Sequence, residues 1–333
     1  MFNKQGINVL KKKTILLAGA SGYIGSAVLD ELHLRKYIVV RIGRKLKPIN
    51  NQGTNSDLIL DMELGNTFCE KKLKEMLPSC FAVISCLGSR EGKLVDSWNV
   101  EFLANKNLLN YATSVGCERF VLLSAICVQK PKLEFQRAKL AFEELLISSK
   151  LIYSIVRPTA FFKSLSGQIN RVRSGKPFIV FDSGKKTSCK PISRADLARY
   201  ICECLTNTSR EKKILPIGGP GPAVTPNDQA DLLFKNTKHK KKIRRVPSWI
   251  FLLFAFLLTP FCFLSIKLAN LREFMRIAHF YATESMLVWD EHAKKYSDQK
   301  TLETGSDKLE DFYKEQFQDI NKKIPMADRR IFR

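Results

Sequence analysis

The stretch T-I-L-L-A-G-A-S-G-Y-I-G, residues 14–25, decides the fold of this chain. Its first five residues, Thr14–Ala18, are an apolar run rich in strand formers. Residues 19–25 then supply three glycines in a G-x-x-G-x-x-G pattern, and S-A-V-L-D-E-L continues with helical spacing. Strand, glycine turn and helix in this order predict the first βαβ unit of a dinucleotide-binding Rossmann domain. The alternative is a glycine-rich turn in another kind of α/β protein.

The glycines of this turn suit a cofactor pyrophosphate. Gly19 permits the tight bend after the strand, Gly22 lets the backbone approach the phosphates, and Gly25 lets helix and strand pack closely. The helix N-terminus offers N–H groups and a partial positive charge to an anion. The cofactor-binding residues predicted in this turn are Gly19, Ser21, Gly22, Tyr23, Ile24 and Gly25.

The end of the second predicted strand, residues 37–42, indicates the type of cofactor. An NAD site usually has an acidic residue here, for the ribose hydroxyls. This chain has Gly43, Arg44 and Lys45 instead. Because a guanidinium can bind a 2′-phosphate through two hydrogen bonds, we predict NADPH as the cofactor, bound by Arg44 and Lys45. The alternative, that Arg44 is a solvated surface charge, stays open.

Further apolar runs alternate with helical patterns. Strands are predicted at 58–60, 81–86, 119–124 and 152–156, and helices at 99–115 and 137–146. This alternation predicts an α/β fold with a doubly wound parallel sheet, which binds its ligand over the carboxyl ends of the strands. The cofactor residues predicted there, besides the glycine turn, are Asp61, Met62, Leu87, Gly88, Ser124, Lys139, Pro158 and Thr159.

The predicted catalytic residues are Lys139 and Ser124. Short-chain dehydrogenases place a serine after the fifth strand and then Tyr-x-x-x-Lys on the next helix, and F-Q-R-A-K at 135–139 keeps the lysine but has Phe135 in the tyrosine position. Because phenylalanine has no proton to donate, ordinary carbonyl–alcohol chemistry is in doubt. Either the site is inactive, or the substrate needs no phenol, as for a carbon–carbon double bond conjugated to a large π-system.

Composition narrows the partners. The chain has 333 residues and a formal net charge of +23, but its lysines are scattered and no nucleic-acid-binding motif accompanies them, so we predict no nucleic-acid partner. The nine cysteines include no C-x-x-C pair and are expected to be free thiols. The four histidines form no H-x-x-x-H pair, so no metal site is predicted. Residues 1–13 contain no apolar segment of a signal peptide and leave little room for a transit peptide, so a cytoplasmic location is expected. The alternative is that the protein has already been processed.

The C-terminal region is different in character. A basic stretch at 238–245 is followed by an almost continuously apolar segment at 249–266 that contains Pro260. The segment is interpreted as a buried helical hairpin, an interfacial attachment to a membrane, or a true span, which the proline disfavours. Residues beyond 293 are expected to form a charged surface helix. We therefore predict a Rossmann domain at 12–235 and a smaller, mainly helical, substrate-covering and membrane-associating region at 236–333.

Several longer blocks resemble one family. They are S-C-L-G-S-R (85–90), L-L-S-A-I-C-V-Q-K-P (122–131), L-E-F-Q-R-A-K-L (133–140), V-R-P-T-A-F-F-K-S-L (156–165), C-K-P-I-S (189–193), L-P-I-G-G-P-G (215–221) and Y-A-T-E-S-M-L (281–287). In these blocks the chain resembles the divinyl chlorophyllide 8-vinyl reductases, from about residue 14 to about residue 317. The missing tyrosine belongs to that family pattern.

The resemblance implies an atypical short-chain reductase that uses NADPH to reduce the C8 vinyl group of 3,8-divinyl chlorophyllide a, or of its protochlorophyllide precursor, to ethyl. The magnesium would belong to the pigment substrate. Lys139 would hold the nicotinamide ribose beside Ser124, while Phe161 and Phe162 would line the macrocycle or else belong to the core. Tyr281 or Lys139 would supply the proton. The location would be peripheral to the photosynthetic membrane.

Two other functions stay open at this point. One is an NADPH-dependent reductase of the atypical group that acts on a quinone or an aromatic enone. The other is a non-catalytic NADPH-binding scaffold or sensor, because relatives of this fold also serve in such roles.

Overall fold

The computed structural model describes residues 13–44, 58–89 and 92–318. The strands in this part of the chain are β1 Thr14–Ala18, β2 Ile38–Gly43, β3 Leu58–Asp61, β4 Ala82–Ser85, β5 Arg119–Leu123, β6 Ile152–Pro158, β7 Phe178–Phe181, β8 Lys213–Gly218, β9 Ile243–Val246, β10 Val288–Asp290, β11 Lys295–Ser297 and β12 Leu302–Glu303. The α-helices are α1 Tyr23–Leu34, α2 Glu70–Met76, α3 Leu94–Ser97, α4 Ala104–Ser114, α5 Glu134–Ile147, α6 Ile169–Arg173, α7 Arg194–Glu203, α8 Pro226–Phe234, α9 Trp249–Leu258, α10 Ile266–Thr283 and α11 Leu309–Gln318.

Eight strands form one parallel sheet in the order β12-β8-β6-β5-β4-β1-β2-β3. Its central strands have apolar side chains on both faces, and each face is covered by its own buried cluster of helix and strand residues. A strand that is buried on both faces has no polar side to alternate with, which explains the continuous apolar runs in the sequence. The predicted doubly wound α/β sheet is thereby confirmed, with the predicted strands of the sheet near their expected positions.

The predicted helix at 99–115 differs in its first half. Trp98–Leu103 is a π-helix, and the α-helical geometry begins at Ala104. The side-chain amide of Asn105 donates to the carbonyl oxygens of Glu101 at 2.9 Å and Val100 at 3.3 Å. This side chain therefore supplies hydrogen bonds to carbonyl groups in the wider turn.

The chain after the predicted boundary at 235 contributes strands to all three sheets of the described residues. β7 and β9 form a two-stranded parallel sheet, and β12 pairs in parallel with the edge strand β8. The expectation of a purely helical tail beyond 293 is wrong, since β11 and β12 precede α11. The nearly buried Lys190 binds the carboxylate of Glu303 at 2.8 Å, which fixes this segment at the sheet edge. The division of the chain at 235 stays a prediction.

One pair of cysteines departs from the expected free thiols. Cys80 and Cys117 form a disulfide, with their Cα atoms 5.6 Å apart. The two residues lie just before β4 and β5, which are neighbours in the sheet, so the parallel pairing brings their side chains within disulfide reach. The free cysteines include Cys69, Cys86, Cys189, Cys202, Cys204 and Cys262, and burial raises the pKa of the Cys86 thiol to about 12.

The apolar segment after residue 248 folds back on itself. α9 and α10 pack together through the short turn Thr259–Phe261, which contains Pro260. We call residues 249–266 the apolar hairpin. Much of it faces solvent, with Phe256 74% and Phe263 83% exposed, so the interpretation as a buried hairpin is wrong. Within the described ranges, the helices are too short or too polar to cross a bilayer.

Candidate active site

The glycine turn between β1 and α1 is closely packed. Gly19 has φ +83°, and a Cβ there would lie 2.6 Å from the carbonyl oxygen of Cys86 at the end of β4. A Cβ on Gly25 would lie 2.7 Å from the carbonyl carbon of Gly19 and closer still to its oxygen. Both positions therefore require glycine for the turn itself to form.

The N-terminus of α1 fits a bound phosphate. Gly22 is the N-cap, and no side chain in the described part of the chain caps the helix there. The first amides of a helix have no intrahelical acceptor and point along the axis. A Cβ on Gly22 would make a tight contact of 3.2 Å with the Gly19 carbonyl oxygen, and apart from the adjoining residues no other described atom would lie within 4 Å of it. These features match what a dinucleotide pyrophosphate requires.

The adenosine end of the predicted site lies beside β2 and β3. Met62 donates its backbone N–H to the carbonyl of Gly43 at 3.0 Å. This bond holds the end of β2 beside Asp61 and Met62 at the end of β3. The Arg44 side chain is 69% exposed, and its Nη1 lies 3.9 Å from Glu63 Oε1. Lys45 lies outside the described residues.

The remaining predicted cofactor residues follow the carboxyl ends of the central strands. Leu87 and Gly88 come after β4, and Ser124 after β5. Pro158 ends β6. Thr159 follows it, nearly buried, and its hydroxyl donates to the carbonyl of Lys190. Its side chain is therefore committed to the fold, while the site assignments themselves stay predictions.

Helix α5 presents its predicted catalytic face towards this edge. Phe135, Lys139 and Glu143 are spaced by four residues and so lie on one face of the helix. The ammonium of Lys139 lies 2.7 Å from Glu101 Oε2. Glu101 is 3% exposed and also accepts from the backbone N–H and hydroxyl of Ser89, at 2.8 and 3.0 Å. Sequence reasoning missed Glu101, because nothing in the local pattern marks it.

A second buried acid holds Ser124. The Ser124 hydroxyl donates to Glu143, and the Arg157 guanidinium binds both oxygens of the same carboxylate. Glu143 is 1% exposed, and such a buried carboxylate is stable only when it is fully paired. Both predicted catalytic side chains are therefore bound to buried acids, Lys139 to Glu101 and Ser124 to Glu143.

Helix α10 covers the start of α5. Phe135 is nearly buried in an apolar cluster with Cys127, Leu133, Ile277 and Phe280, the last two from α10. The side chain of Glu273 accepts the backbone N–H of Glu134 at 3.2 Å. The C-terminal region thus closes over the phenylalanine that replaces the usual tyrosine.

The predicted substrate residues have different surroundings. Phe162 is 4% exposed and packs against Phe312 at 5.4 Å between ring centroids, so a core role is favoured over contact with a macrocycle. Phe161 is partly buried, with its ring 6.5 Å from that of Tyr23. Tyr281 is 38% exposed on α10. In the described ranges, no group of three or more His, Cys, Asp or Glu side chains is arranged to hold a metal.

Comparison with known protein families identifies the cofactor class. Residues 19–208 match a family described as NAD(P)H-binding. The fold is similar to that of a quinone oxidoreductase from Escherichia coli complexed with NADPH, with a TM-score of 0.62, 16% identity, and coverage of 91% of this chain and 99% of that one. A Thermus thermophilus UDP-glucose 4-epimerase with NAD has a TM-score of 0.58, 16% identity, and coverage of 70% and 86%. At such identities the structures support the fold alone.

Similarity in sequence to two plant proteins covers nine-tenths of the chain. Divinyl chlorophyllide a 8-vinyl-reductase from Arabidopsis thaliana is 40% identical over 318 residues, which cover 91% of this chain and 76% of that protein. The Cucumis sativus protein of the same name is 42% identical over 319 residues, with coverage of 91% and 76%. Both relatives are named as chloroplastic.

Proposed function

The chain belongs to the divinyl chlorophyllide a 8-vinyl-reductase family, and on this premise we propose that it reduces the C8 vinyl group of 3,8-divinyl chlorophyllide a, or of the corresponding protochlorophyllide, to ethyl with NADPH. The product is the monovinyl pigment of chlorophyll biosynthesis. The observation that carries this proposal is identity of 40–42% across nine-tenths of the chain.

The aromatic ring at residue 135 fits this chemistry. Reduction of a ketone needs a proton donor at the carbonyl oxygen, and Phe135 has none. A vinyl group conjugated to a tetrapyrrole can spread developing negative charge over the π-system, so its proton can come from another source. The nearly buried phenyl ring then serves as an apolar wall beside the reacting group.

We assign the positioning of the cofactor to the residues at the carboxyl ends of the strands. Once bound, NADPH supplies the hydride. The amides at the start of α1 bind its pyrophosphate, and Lys139 binds the nicotinamide ribose with Ser124 beside it. The Glu143 carboxylate accepts the Ser124 hydrogen, so the Ser124 oxygen keeps lone pairs to accept a hydrogen bond from the cofactor or substrate.

The preference for NADPH over NADH rests on Arg44. This side chain is largely exposed and makes a loose contact with Glu63 at 3.9 Å. An exposed pair of this kind contributes only about 0–1 kcal/mol, so exchange of Glu63 for a 2′-phosphate costs little. A phosphate offers the guanidinium two charge-assisted hydrogen bonds in return.

One incubation tests the proposed reaction. The purified protein is mixed with divinyl chlorophyllide a and NADPH deuterated on the transferred face, and the pigments are separated by chromatography. We expect the monovinyl pigment with one deuterium in the new ethyl group and the second hydrogen from solvent. A monovinyl product without deuterium would mean that another carrier intervenes, and absence of product would refute the proposed function.

We further propose that the apolar hairpin lies on an anionic membrane surface. Its exposed large apolar side chains are Trp249, Leu252, Leu253, Phe254, Phe256, Leu257, Phe261, Phe263, Leu264 and Ile266. Soluble surfaces rarely leave so much apolar area together. The exposed basic side chains of 238–245 precede it and favour anionic headgroups over a protein partner of mixed charge. This position suits a pigment that arrives from a membrane, and the cytoplasmic location stays a prediction.

Vesicle flotation tests the membrane proposal. The protein is expected to float with vesicles rich in anionic lipid, and less with neutral ones. Phe256→Ser combined with Phe263→Ser should abolish flotation. Leu34→Ser is the matched control, because Leu34 is 78% exposed at the end of α1, outside the hairpin. The proposal would be refuted if the double variant floated as well as Leu34→Ser, or if the unmutated protein did not float at all.

A further inference from the structure

The buried contact between the π-helix and α5 points to a role for Glu101 that neither the sequence pattern nor the family name provides. Lys139 carries a flexible four-carbon side chain, and such an ammonium needs a fixed partner to hold one position. Glu101 supplies that partner at 2.7 Å, with the lysine side chain 12% and the glutamate side chain 2% exposed. At this burial the ion pair is screened by salt much less than an exposed pair would be.

The carboxylate of Glu101 is itself held on several sides. Its Oε1 accepts both hydrogen bonds from Ser89, which leaves Oε2 for Lys139. The side chain of Asn105 binds the backbone carbonyl of Glu101 at 2.9 Å. Ser89 belongs to the loop after β4, which we expect to line the cofactor, so one carboxylate joins this loop, the π-helix and α5.

We propose that Glu101 is the positioning residue for Lys139, holding its ammonium where the nicotinamide ribose binds. This inference rests on the proposed NADPH-dependent function. In the usual Tyr-x-x-x-Lys arrangement the lysine acts on a tyrosine one helical turn away, and here Phe135 occupies that place. The carboxylate of Glu101 thereby provides the fixed polar partner that the phenyl ring of Phe135 cannot.

Glu101→Gln is the first test, because it keeps the shape and removes the charge. The amide oxygen can still accept from Ser89, but the amide N–H₂ then faces the ammonium of Lys139 and displaces it. We expect NADPH binding, measured by fluorescence titration, to weaken about tenfold or more, as for loss of a charge-assisted hydrogen bond. Glu101→Asp keeps the charge and should recover part of the affinity. Glu144→Gln, an exposed change on the same helix, should bind NADPH normally.

Two readouts separate positioning from general stability. In the cofactor-free protein, acylation of Lys139 relative to the exposed Lys150, followed by mass spectrometry, should rise several-fold in Glu101→Gln. In a Lys139→Met background, adding Glu101→Gln should weaken NADPH no further. Unchanged reactivity together with unchanged affinity, or an equal loss in the Lys139→Met background, would overturn the proposal.

A stability comparison covers the case that Glu101→Gln folds poorly. Lys139→Met leaves the buried Glu101 carboxylate without its cation and should lower the melting temperature, and adding Glu101→Gln should restore part of it. A further decrease would overturn the pairing. All these binding and stability measurements are independent of pigment turnover, so a failure of the proposed vinyl reduction would be recognised separately.

Discussion

Two alanine substitutions in the glycine turn should affect different properties, one the binding of NADPH and the other the stability of the fold. Gly22→Ala brings a methyl group to 3.2 Å from the Gly19 carbonyl oxygen, so the turn must shift by a few tenths of an ångström, while φ −78° with ψ 169° is ordinary for alanine. Loss of glycine at an N-cap costs at most about 1 kcal/mol. The second glycine of such a turn lets the backbone approach a pyrophosphate, so a methyl group there should hinder the cofactor. With charge-assisted contacts contributing about 1.5–3 kcal/mol, NADPH binding should weaken about tenfold or more.

Gly25→Ala should act on the fold. Its methyl carbon would lie 2.7 Å from the Gly19 carbonyl carbon, and neither backbone segment can move away without opening the turn. Such overpacking costs about 3 kcal/mol or more, which outweighs the gain in helix propensity of about 1 kcal/mol. At about 2–4 °C per kcal/mol for a chain of this size, the melting temperature should fall by several degrees.

The assay is thermal denaturation of the cofactor-free variants alongside NADPH titration by fluorescence. Gly22→Ala should melt within a few degrees of the unmutated protein and bind NADPH poorly. Gly25→Ala should melt several degrees below the unmutated protein. Normal NADPH affinity in a well-folded Gly22→Ala protein would refute the placement of the pyrophosphate.

Three further outcomes follow from the same structure. Arg44→Ala should weaken NADPH about tenfold or more and spare NADH, in parallel titrations, and equal affinity of the unmutated protein for both cofactors would contradict the preference. Phe135→Tyr should leave the rate of vinyl reduction within about tenfold of the unmutated rate, well short of the 10²–10⁴-fold that an acid–base group contributes. Because the added hydroxyl lies in an apolar cluster, the same variant should be less stable in a urea titration. Cys117→Ser should reduce the free energy of unfolding by about 3–4 kcal/mol under oxidising conditions, because the disulfide to Cys80 cannot form. Addition of a reductant should lower the free energy of unfolding of the unmutated protein to the same value.

Local patterns in the sequence were sufficient for six of the eight strands of the large sheet and for the glycine turn between β1 and α1. The run of residues 14–25 specifies strand, bend and helix by short-range sterics, and so its interpretation depends on nothing distant. Glu101 could not be predicted, because its role depends on a partner 38 residues away and on a π-helix stabilised by Asn105. Its neighbours continue an ordinary helical period, which hides the change in geometry.

Dependence on distant partners also explains why the strands beyond residue 293 were not predicted. A strand of two residues has too little length to show a period, and Leu302–Glu303 is recognisable only through its pairing with β8. The disulfide was missed for a related reason, since Cys80 and Cys117 meet only after the parallel sheet has formed. Features that depend on long-range pairing are invisible to a reading of local composition.

The pairing of residue 302 with residue 217 imposes an order on synthesis. The other seven strands of the large sheet emerge from the ribosome well before β12, so Ile217 and Gly218 at the end of β8 wait without their partner strand. Such an edge is prone to pair with other nascent chains until the late strand covers it. A chain that ended before residue 302 would therefore leave Ile217 and Gly218 unpaired at the sheet edge and deprive Lys190 of Glu303. Its fate would be aggregation or proteolysis rather than reduced activity.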